Sequence, residues 1–458
     1  MIFSQTATTS FDTHYFRLLS RNDCDTVFSD TATVLVTPAA YGGTLDSLAL
    51  CPNDSVRMTL NNHLGDSILW MGGVLSQPFV GYTQYDTTLV TTTTLPDTTQ
   101  FYAIVSYKNS VCSVDTSNVV SAHYLISSLG DISTNKDLFT SVRNSSILVD
   151  VIANDSAAQS SLSSNNITVY DDVDNGALTV NGVTGDLTYS PTTNWIGVDQ
   201  FSYQVCSDIC ASVCDSATVT IRVLPSPLPC DGTIYYSQIR PDGAPGKDLV
   251  TLDVSVNPFD TVLIRRMSIE FNATAFNPVD GYLYGVTEGP TNDLIVIGED
   301  GDFVNLGRIK NVAGTSDWTG NSVWSGAIDI NGDYYANYDT DELFHISIDE
   351  LKLERIISLP GTGVNRFGDI AIPNDEDFAY GYDSQESRFS KVDLTNGNIS
   401  HFGPVRNIAQ TEASGFDALN NLFVYTSDTL GNTGMKYLRQ VDRVTGEMLE
   451  IGTVSYTH

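Results

Sequence analysis

The sequence predicts an all-β protein in which β-sandwiches in tandem are followed by a β-propeller with five visible blades. Two observations carry this prediction. A pattern of strands recurs five times in the C-terminal half, and residues 1–224 contain 21 Asp but no Glu. Because Glu favours helices, while the abundant Thr, Val, Tyr and Ser favour strands and turns, we expect the N-terminal half to lack helices.

The C-terminal repeat is visible when five apolar segments are compared, namely 249–253, 294–297, 343–346, 389–393 and 438–442. Their first residues are separated by 45, 49, 46 and 49 positions. An aromatic-rich strand precedes each segment, and a polar turn and a further apolar run follow it. This length and pattern are typical of four-stranded propeller blades. The first visible blade begins at its second strand and lacks an innermost one, so closure needs either an unusual strand or further blades beyond His458.

Composition and charge bound the function. The formal net charge of −33 argues against nucleic acid and anionic membrane as partners, because phosphate binding requires clustered Lys and Arg. No apolar run approaches the roughly 18 residues of a membrane helix. The composition changes near 225–229, which we take as the main domain boundary. No signal peptide is visible at the N-terminus.

Four domains are predicted in chain order. Residues 13–36 resemble residues 99–120 in their strands and in the position of one cysteine, but the earlier strands that precede the second copy are missing from the first. We therefore expect the C-terminal part of an immunoglobulin-like domain at 1–38, an immunoglobulin-like β-sandwich at 39–125, a further β-sandwich at 126–224 and the propeller at 228–458. The chain is interpreted as a piece of a longer protein.

Residues 39–125 combine short strands with a central Trp70 and the motif Cys51-Pro-Asn-Asp-Ser-Val56. With Tyr102 and Cys112, this pattern resembles the immunoglobulin-like modules of large surface proteins of Bacteroidota. The resemblance implies a disulfide between Cys51 and Cys112, with Cys24 deprived of its partner. A reduced, buried thiol is the alternative.

Residues 126–224 contain, in order, an apolar strand ending in Asn154-Asp155, Asn-Gly turns and a strand that carries Asp199. The order of these motifs resembles the cadherin-like tandem repeats of bacterial adhesins. Cys206 and Cys214 flank a hairpin tip and could close it, whereas Cys210 and Cys230 cannot be assigned. The resemblance suggests calcium at Asp155 and Asp199. Alternatively, Asp155 belongs to an Asx-turn and Asp199 caps a strand entry.

Residues 271–285 and the later segment 343–346 resemble a propeller-like family of secreted bacterial multidomain proteins that has no settled activity. Asp329, Asp369 and Asp417 end inner strands, and with Asn277 they are candidates for one mouth of the channel. Paired carboxylates there would suit a glycosidase, but carboxylates at strand ends are also ordinary turn formers. Aromatic side chains on one face, among them Trp318, Trp324 and Tyr338, would indicate a binding surface.

The sequence lacks the nucleophile-elbow, zinc-protease and phosphate-loop motifs. We therefore expect no enzyme and no cofactor, with calcium the one ion to test. The function we predict is that of a Bacteroidota-type adhesin, attached to the outer membrane and exported by type IX secretion, whose propeller binds a glycan or protein. A purely structural spacer and a glycan-cleaving propeller are the alternatives.

Overall fold

The structure is a computed structural model. It describes residues 12–16, 19–21, 26–28, 32–36, 40–46, 48–52, 54, 56–72, 77–78, 88–91, 100–107, 114–125, 130–229, 231–289, 292–319, 323–338, 341–361, 367–406, 408, 411–417, 419–427 and 436–454. Within these residues there is no α-helix, and one short 3-10 helix spans Ser164–Asn166. The predicted all-β fold is confirmed. Across the described part of the chain, no helix is long and apolar enough to span a membrane.

Residues 1–38 contribute two antiparallel pairs, β1 with β4 and β2 with β3. These strands are β1 (Asp12–Phe16), β2 (Leu19–Arg21), β3 (Thr26–Phe28) and β4 (Ala32–Val36).

The second module, residues 39–125, forms two sheets with the strand orders β10-β7-β5 and β6-β13-β11-β8-β9, and β12 pairs with β11. Trp70 is 1% exposed and packs in the core with Phe101 and Val105, as expected of a sandwich in which alternate residues point inward. The strands are β5 (Thr44–Leu45), β6 (Leu48–Leu50), β7 (Val56–Asn61), β8 (Ser67–Gly72), β9 (Gln77–Pro78), β10 (Thr88–Thr91), β11 (Gln100–Ser106), β12 (Val114–Thr116) and β13 (Val120–Tyr124).

The third module, residues 126–224, has sheets ordered β15-β22-β21-β18 and β16-β20-β19, with a small β14-β17 pair. Its longest elements form one hairpin, in which β21 and β22 pair along their length. The strands are β14 (Ile132–Ser133), β15 (Asp137–Val142), β16 (Ile147–Val149), β17 (Ser156–Ala157), β18 (Ile167–Asp171), β19 (Gly176–Val180), β20 (Leu187–Pro191), β21 (Gly197–Cys206) and β22 (Cys214–Leu224).

Two disulfides meet at the tip of the β21–β22 hairpin. The bond between Cys206 and Cys214 closes the tip, as predicted. The predicted partner of Cys51 was wrong, because Cys51 bonds to Cys210 with a Cα–Cα distance of 5.6 Å, and Cys112 lies outside the described residues. The reason is that Cys51 follows β6, which pairs with β13, the last strand of the second module. Cys51 therefore lies at the end of that module that meets the hairpin tip.

The propeller has five blades in sequence order. Among the residues that the structure describes, blade 1 has three strands and no innermost one, as the repeat predicted, while blades 2 to 5 have four each. The strands are β23 (Ile234–Ile239), β24 (Lys247–Asp253) and β25 (Asp260–Arg266) in blade 1; β26 (Phe271–Phe276), β27 (Leu283–Thr287), β28 (Asp293–Ile297) and β29 (Phe303–Arg308) in blade 2; β30 (Val323–Ile328), β31 (Tyr334–Tyr338), β32 (Glu342–Ser347) and β33 (Lys352–Ser358) in blade 3; β34 (Phe367–Ala371), β35 (Phe378–Asp383), β36 (Arg388–Asp393) and β37 (Ile399–Phe402) in blade 4; β38 (Thr411–Phe416), β39 (Leu422–Ser427), β40 (Lys436–Val441) and β41 (Met448–Val454) in blade 5.

The hydrophobic core of the propeller lies between neighbouring blades. Separate apolar clusters join blade 1 to 2, 2 to 3, 3 to 4 and 4 to 5. A fifth cluster, which includes Phe259 and Tyr425, joins blade 5 to blade 1. There the Phe259 amide also donates to the Thr453 carbonyl at 2.7 Å. The five blades therefore close into a ring, since each sheet buries its faces against its two neighbours.

The third module packs against blades 2 and 3 at a contact that we call the junction. Leu224 belongs to the same apolar cluster as the core between these blades. Arg143 pairs with Asp300 and Asp302 at 2.8 and 2.7 Å. Arg222, which is 5% exposed, donates to the carbonyls of Ile348 and Asp349 at 3.0 and 3.1 Å. The junction thus combines apolar burial with charge-assisted hydrogen bonds.

Candidate functional site

Two of the three predicted channel-mouth carboxylates form turns. Asp329 accepts hydrogen bonds from the amides of Asn331 and Asp333, both at 2.9 Å, between the first and second strands of blade 3. Asp417 makes the same arrangement in blade 5, accepting from Leu419 at 2.9 Å and Asn421 at 2.8 Å. These are Asx-type turns, in which the side chain satisfies backbone donors of the reversing chain. The turn-forming alternative therefore accounts for both residues.

Asp369 has a different environment, in the middle of the inner strand β34. Its carboxylate accepts a hydrogen bond from the Ser414 amide of the neighbouring inner strand β38. Asp369 is half-buried as a residue, but protein atoms surround its carboxyl group, and this burial raises its pKa well above the usual value. Asp369 therefore lies in the wall of the ring instead of beside Asp329 and Asp417 at the turns.

The two tryptophans predicted for a binding surface differ in burial. Trp318 is 7% exposed and its ring lies 4.8 Å from that of Phe344, so it belongs to the core between blades 2 and 3. Trp324 on β30 is 46% exposed and is available to a partner. The side chain of Tyr338 lies outside the described part of the structure. The sequence could not separate the two tryptophans, because both lie near the start of the same inner strand.

An open groove of about 520 Å³ lies in blade 3, and we call it the blade-3 groove. It lies between the turn after β30, strand β32 and the outer strand β33. Its lining is mainly polar: Asn331, Gly332, Asp333, His345, Ile346, Ser347, Ile348, Asp349, Glu354 and Arg355. A groove of this volume is within the usual size range of small-ligand sites.

Three contacts fix the shape of the blade-3 groove. His345 Nε2 lies 3.1 Å from Asp333 Oδ1, and the imidazole stacks on Tyr335 with ring centroids 4.7 Å apart. Arg355 is held by the backbone of blade 4, since it donates to the Leu394 carbonyl at 2.6 Å. Asp333, Asp349 and Glu354 keep 50%, 80% and 38% of their side chains exposed. The groove therefore offers oriented acceptors and an imidazole to a ligand rich in hydroxyl or amine groups.

The sequence missed this groove because His345 is part of a repeated strand and has no motif around it. The sequence did contain one usable signal. The acidic turn at 329–333 follows the first strand of the blade, and a histidine lies on the third strand. That pairing becomes visible only through the blade register, in which Tyr335 lies opposite His345.

Asp155 and Asp199, the candidate calcium ligands, are hydrogen-bond acceptors in the third module. Asp199 accepts from the amides of Asp174 and Asn175 and from the Tyr189 hydroxyl, all at 3.0 Å. Asp155 accepts from the Asn135 amide at 2.8 Å and the Tyr203 hydroxyl at 2.7 Å. In the described residues no group of three or more His, Cys, Asp or Glu side chains could hold a metal. Calcium binding stays a prediction.

Asp137 lies next to Asp155 and was not predicted. It is 8% exposed, and its Oδ2 has no hydrogen-bond partner among the described residues. Burial, and then the charge of Asp155, raise the pKa of Asp137 to about 6. Since the pKa in the unfolded chain is lower, the protonated form stabilises the fold. This contribution is complete below the unfolded pKa of 3.8 and is lost as pH rises through 6.

We expect Asp137→Asn to stabilise the third module by about 1–2 kcal/mol at pH 8 and to have little effect near pH 4, because only the ionised carboxylate is costly. Denaturant unfolding in a chelator at both pH values checks this. Calcium is then added to each protein. Stabilisation of the wild type alone would indicate an ion held by Asp137 and Asp155. If the variant were more stable than the wild type by the same amount at both pH values, the ionised Asp137 carboxylate would not be the source of the cost.

Comparisons with known proteins identify parts of the chain. Residues 131–222 match the family described as bacterial Ig domain. The third module is therefore similar to bacterial Ig domains over nearly its whole length. This match covers the segment in which the sequence resembles cadherin-like repeats. Residues 237–451 match a repeat of unknown function, which covers most of the propeller. No curated protein matches the sequence.

Three solved structures resemble the chain distantly. A protein of unknown function from Bacteroides thetaiotaomicron has a TM-score of 0.34 at 12% identity, covering 90% of this chain and 86% of its own. TolB from Acinetobacter baumannii has a TM-score of 0.34 at 10% identity, covering 62% and 68%. The nidogen/laminin complex gives 0.35 at 12% identity, covering 49% and 79%. The bacterial Ig domain, the propeller-type fold and the disulfides together fit a surface or extracellular β-domain protein.

Proposed function

We propose that the chain is part of an adhesin-like surface protein whose propeller recognises a glycan or protein without a covalent step. The observation that carries the proposal is the blade-3 groove, in which oriented polar side chains line an open cavity of about 520 Å³. Hydroxyl and amide groups of a glycan or peptide match its carboxylates, amide and imidazole. Location outside the cell, outer-membrane attachment and type IX export, as in Bacteroidota, are part of the same proposal, and the sequence resemblance supports them.

We favour recognition over catalysis because two of the carboxylates predicted at the channel mouth already accept backbone hydrogen bonds. Asp329 and Asp417 accept backbone hydrogen bonds within their turns. A glycosidase needs two carboxyl groups facing one bond at roughly 5–10 Å, both free to exchange protons or attack. We therefore propose a binding protein, and a spacer without a ligand is the competing interpretation.

The test is a binding screen of the full chain on panels of glycans and host proteins, with calcium present or chelated. For a ligand found there, Asp333→Ala combined with Glu354→Ala should weaken binding at least tenfold, or about 1.4 kcal/mol, because both exposed acceptors are lost. Asp171→Ala with Asp172→Ala, two exposed acids of the third module, is the matched control. Absence of binding by a folded chain would leave the spacer, and equal binding by both variants would exclude the groove.

A further inference from the structure

The disulfide between Cys51 and Cys210 joins residues 159 positions apart. The covalent loop that it closes contains most of the second module and nearly all of the strands of the third. We propose that this bond has a mechanical function: it carries tension across both sandwich modules, so that residues 52–209 do not lengthen when the protein is pulled from its two ends.

The path of the tension follows from connectivity. Force that enters from the N-terminal side reaches Cys51 and crosses the disulfide to Cys210 at the tip of the β21–β22 hairpin. From there it runs along β22, which leads directly into the propeller. Because a strand already rises about 3.3 Å per residue, pulling along β22 adds almost no length. Residues 52–209 lie outside this path.

Both ends of β22 are reinforced. At the tip, the Cys206–Cys214 disulfide fastens the start of β22 to the end of β21. Along its length β22 is an interior strand, paired with β15 on one side and β21 on the other. At the far end Arg222 donates to the carbonyls of Ile348 and Asp349 in blade 3. The strand on which the force acts is therefore fastened at the hairpin tip, within the sheet and at the junction.

Without the Cys51–Cys210 bond, the same force must pass through the backbone of both modules in series. Each sandwich would then unfold and release its full chain length. This function differs from ligand recognition and holds whatever the propeller binds, so the two proposals can fail separately.

The experiment stretches the full chain in optical tweezers with handles at its two ends. With disulfides intact, unfolding should release no length from residues 52–209. Adding a reductant to a folded, tethered molecule should then release roughly 520–570 Å more, since each of the 159 residues contributes about 3.3–3.6 Å when extended. Equal total lengths before and after reduction would overturn the proposal.

Two variants assign the effect to one bond. Cys51→Ser with Cys210→Ser should release the additional length without reductant. Cys206→Ser with Cys214→Ser removes the other disulfide, which spans only 8 positions. In this variant the additional length should still be released only after reduction. Release of the full length by this second variant before reduction would contradict the proposal. Reduction in the tweezers starts from the folded wild type, so the result does not depend on whether the first variant folds.

Discussion

Replacing Arg222 by alanine is expected to lower the free energy of unfolding by about 2–4 kcal/mol and to separate the third module from the propeller in unfolding. Arg222 is 5% exposed, and its removal leaves two blade-3 carbonyls at the junction without their charged donor. In differential scanning calorimetry, the wild type should show one coupled transition and the variant should show two. Limited proteolysis at 225–229 should also become faster.

The control for this prediction is Arg266→Ala, because the Arg266 side chain is 56% exposed and pairs with Asp242 at 3.2 Å. An exposed pair of this kind contributes about 0–1 kcal/mol, so the variant should keep the coupled transition. Similar small shifts for both variants would mean that the junction is held by its apolar contacts and by Arg143 alone.

Asp369→Asn is expected to raise the stability of the propeller at pH 7–8 by roughly 2–3 kcal/mol, because asparagine can accept the Ser414 hydrogen bond without a buried charge. The pKa of Asp369 is raised in the folded state by burial. Its protonated form therefore stabilises the fold fully below the unfolded pKa of 3.8, and this contribution is lost as pH rises toward the folded pKa. The variant should remove that part of the pH dependence.

Chemical denaturation between pH 4 and 8 measures this effect. Asp417→Asn is the matched control, because Asp417 accepts hydrogen bonds in its charged form and its pKa is lowered. Loss of those bonds should destabilise the control at neutral pH, the opposite sign from Asp369→Asn. Destabilisation by both substitutions would contradict a buried, costly carboxylate at Asp369.

Local pattern explains which features could be predicted. The five blades and the missing strand of blade 1 follow from a repeat that is readable within about 45–49 residues. The Cys206–Cys214 bond is local as well, because it closes one hairpin. The partner of Cys51 depends on how two modules meet, which spacing within one module does not contain, so the pairing inferred from resemblance was wrong.

The candidate site shows the same division. The sequence indicated that Asp329 and Asp417 end inner strands, and both explanations for them were available, but only the hydrogen bonds decide for the turn. His345 had no motif, and its pairing with Asp333 arises from blade register. Trp318 and Trp324 are six residues apart, and packing against Phe344 separates them. Side-chain contacts that depend on tertiary packing could not be predicted from local sequence patterns.

The missing strand of blade 1 breaks the symmetry of the ring. Around the axis, β26, β30, β34 and β38 are first strands, whereas blade 1 presents β23, a second strand whose Ser237 hydroxyl lies 3.3 Å from that of Thr274 on β26. A partner that approaches along the axis meets one wall unlike the other four. Such a partner can therefore bind in one orientation about the propeller axis instead of in five nearly equivalent ones.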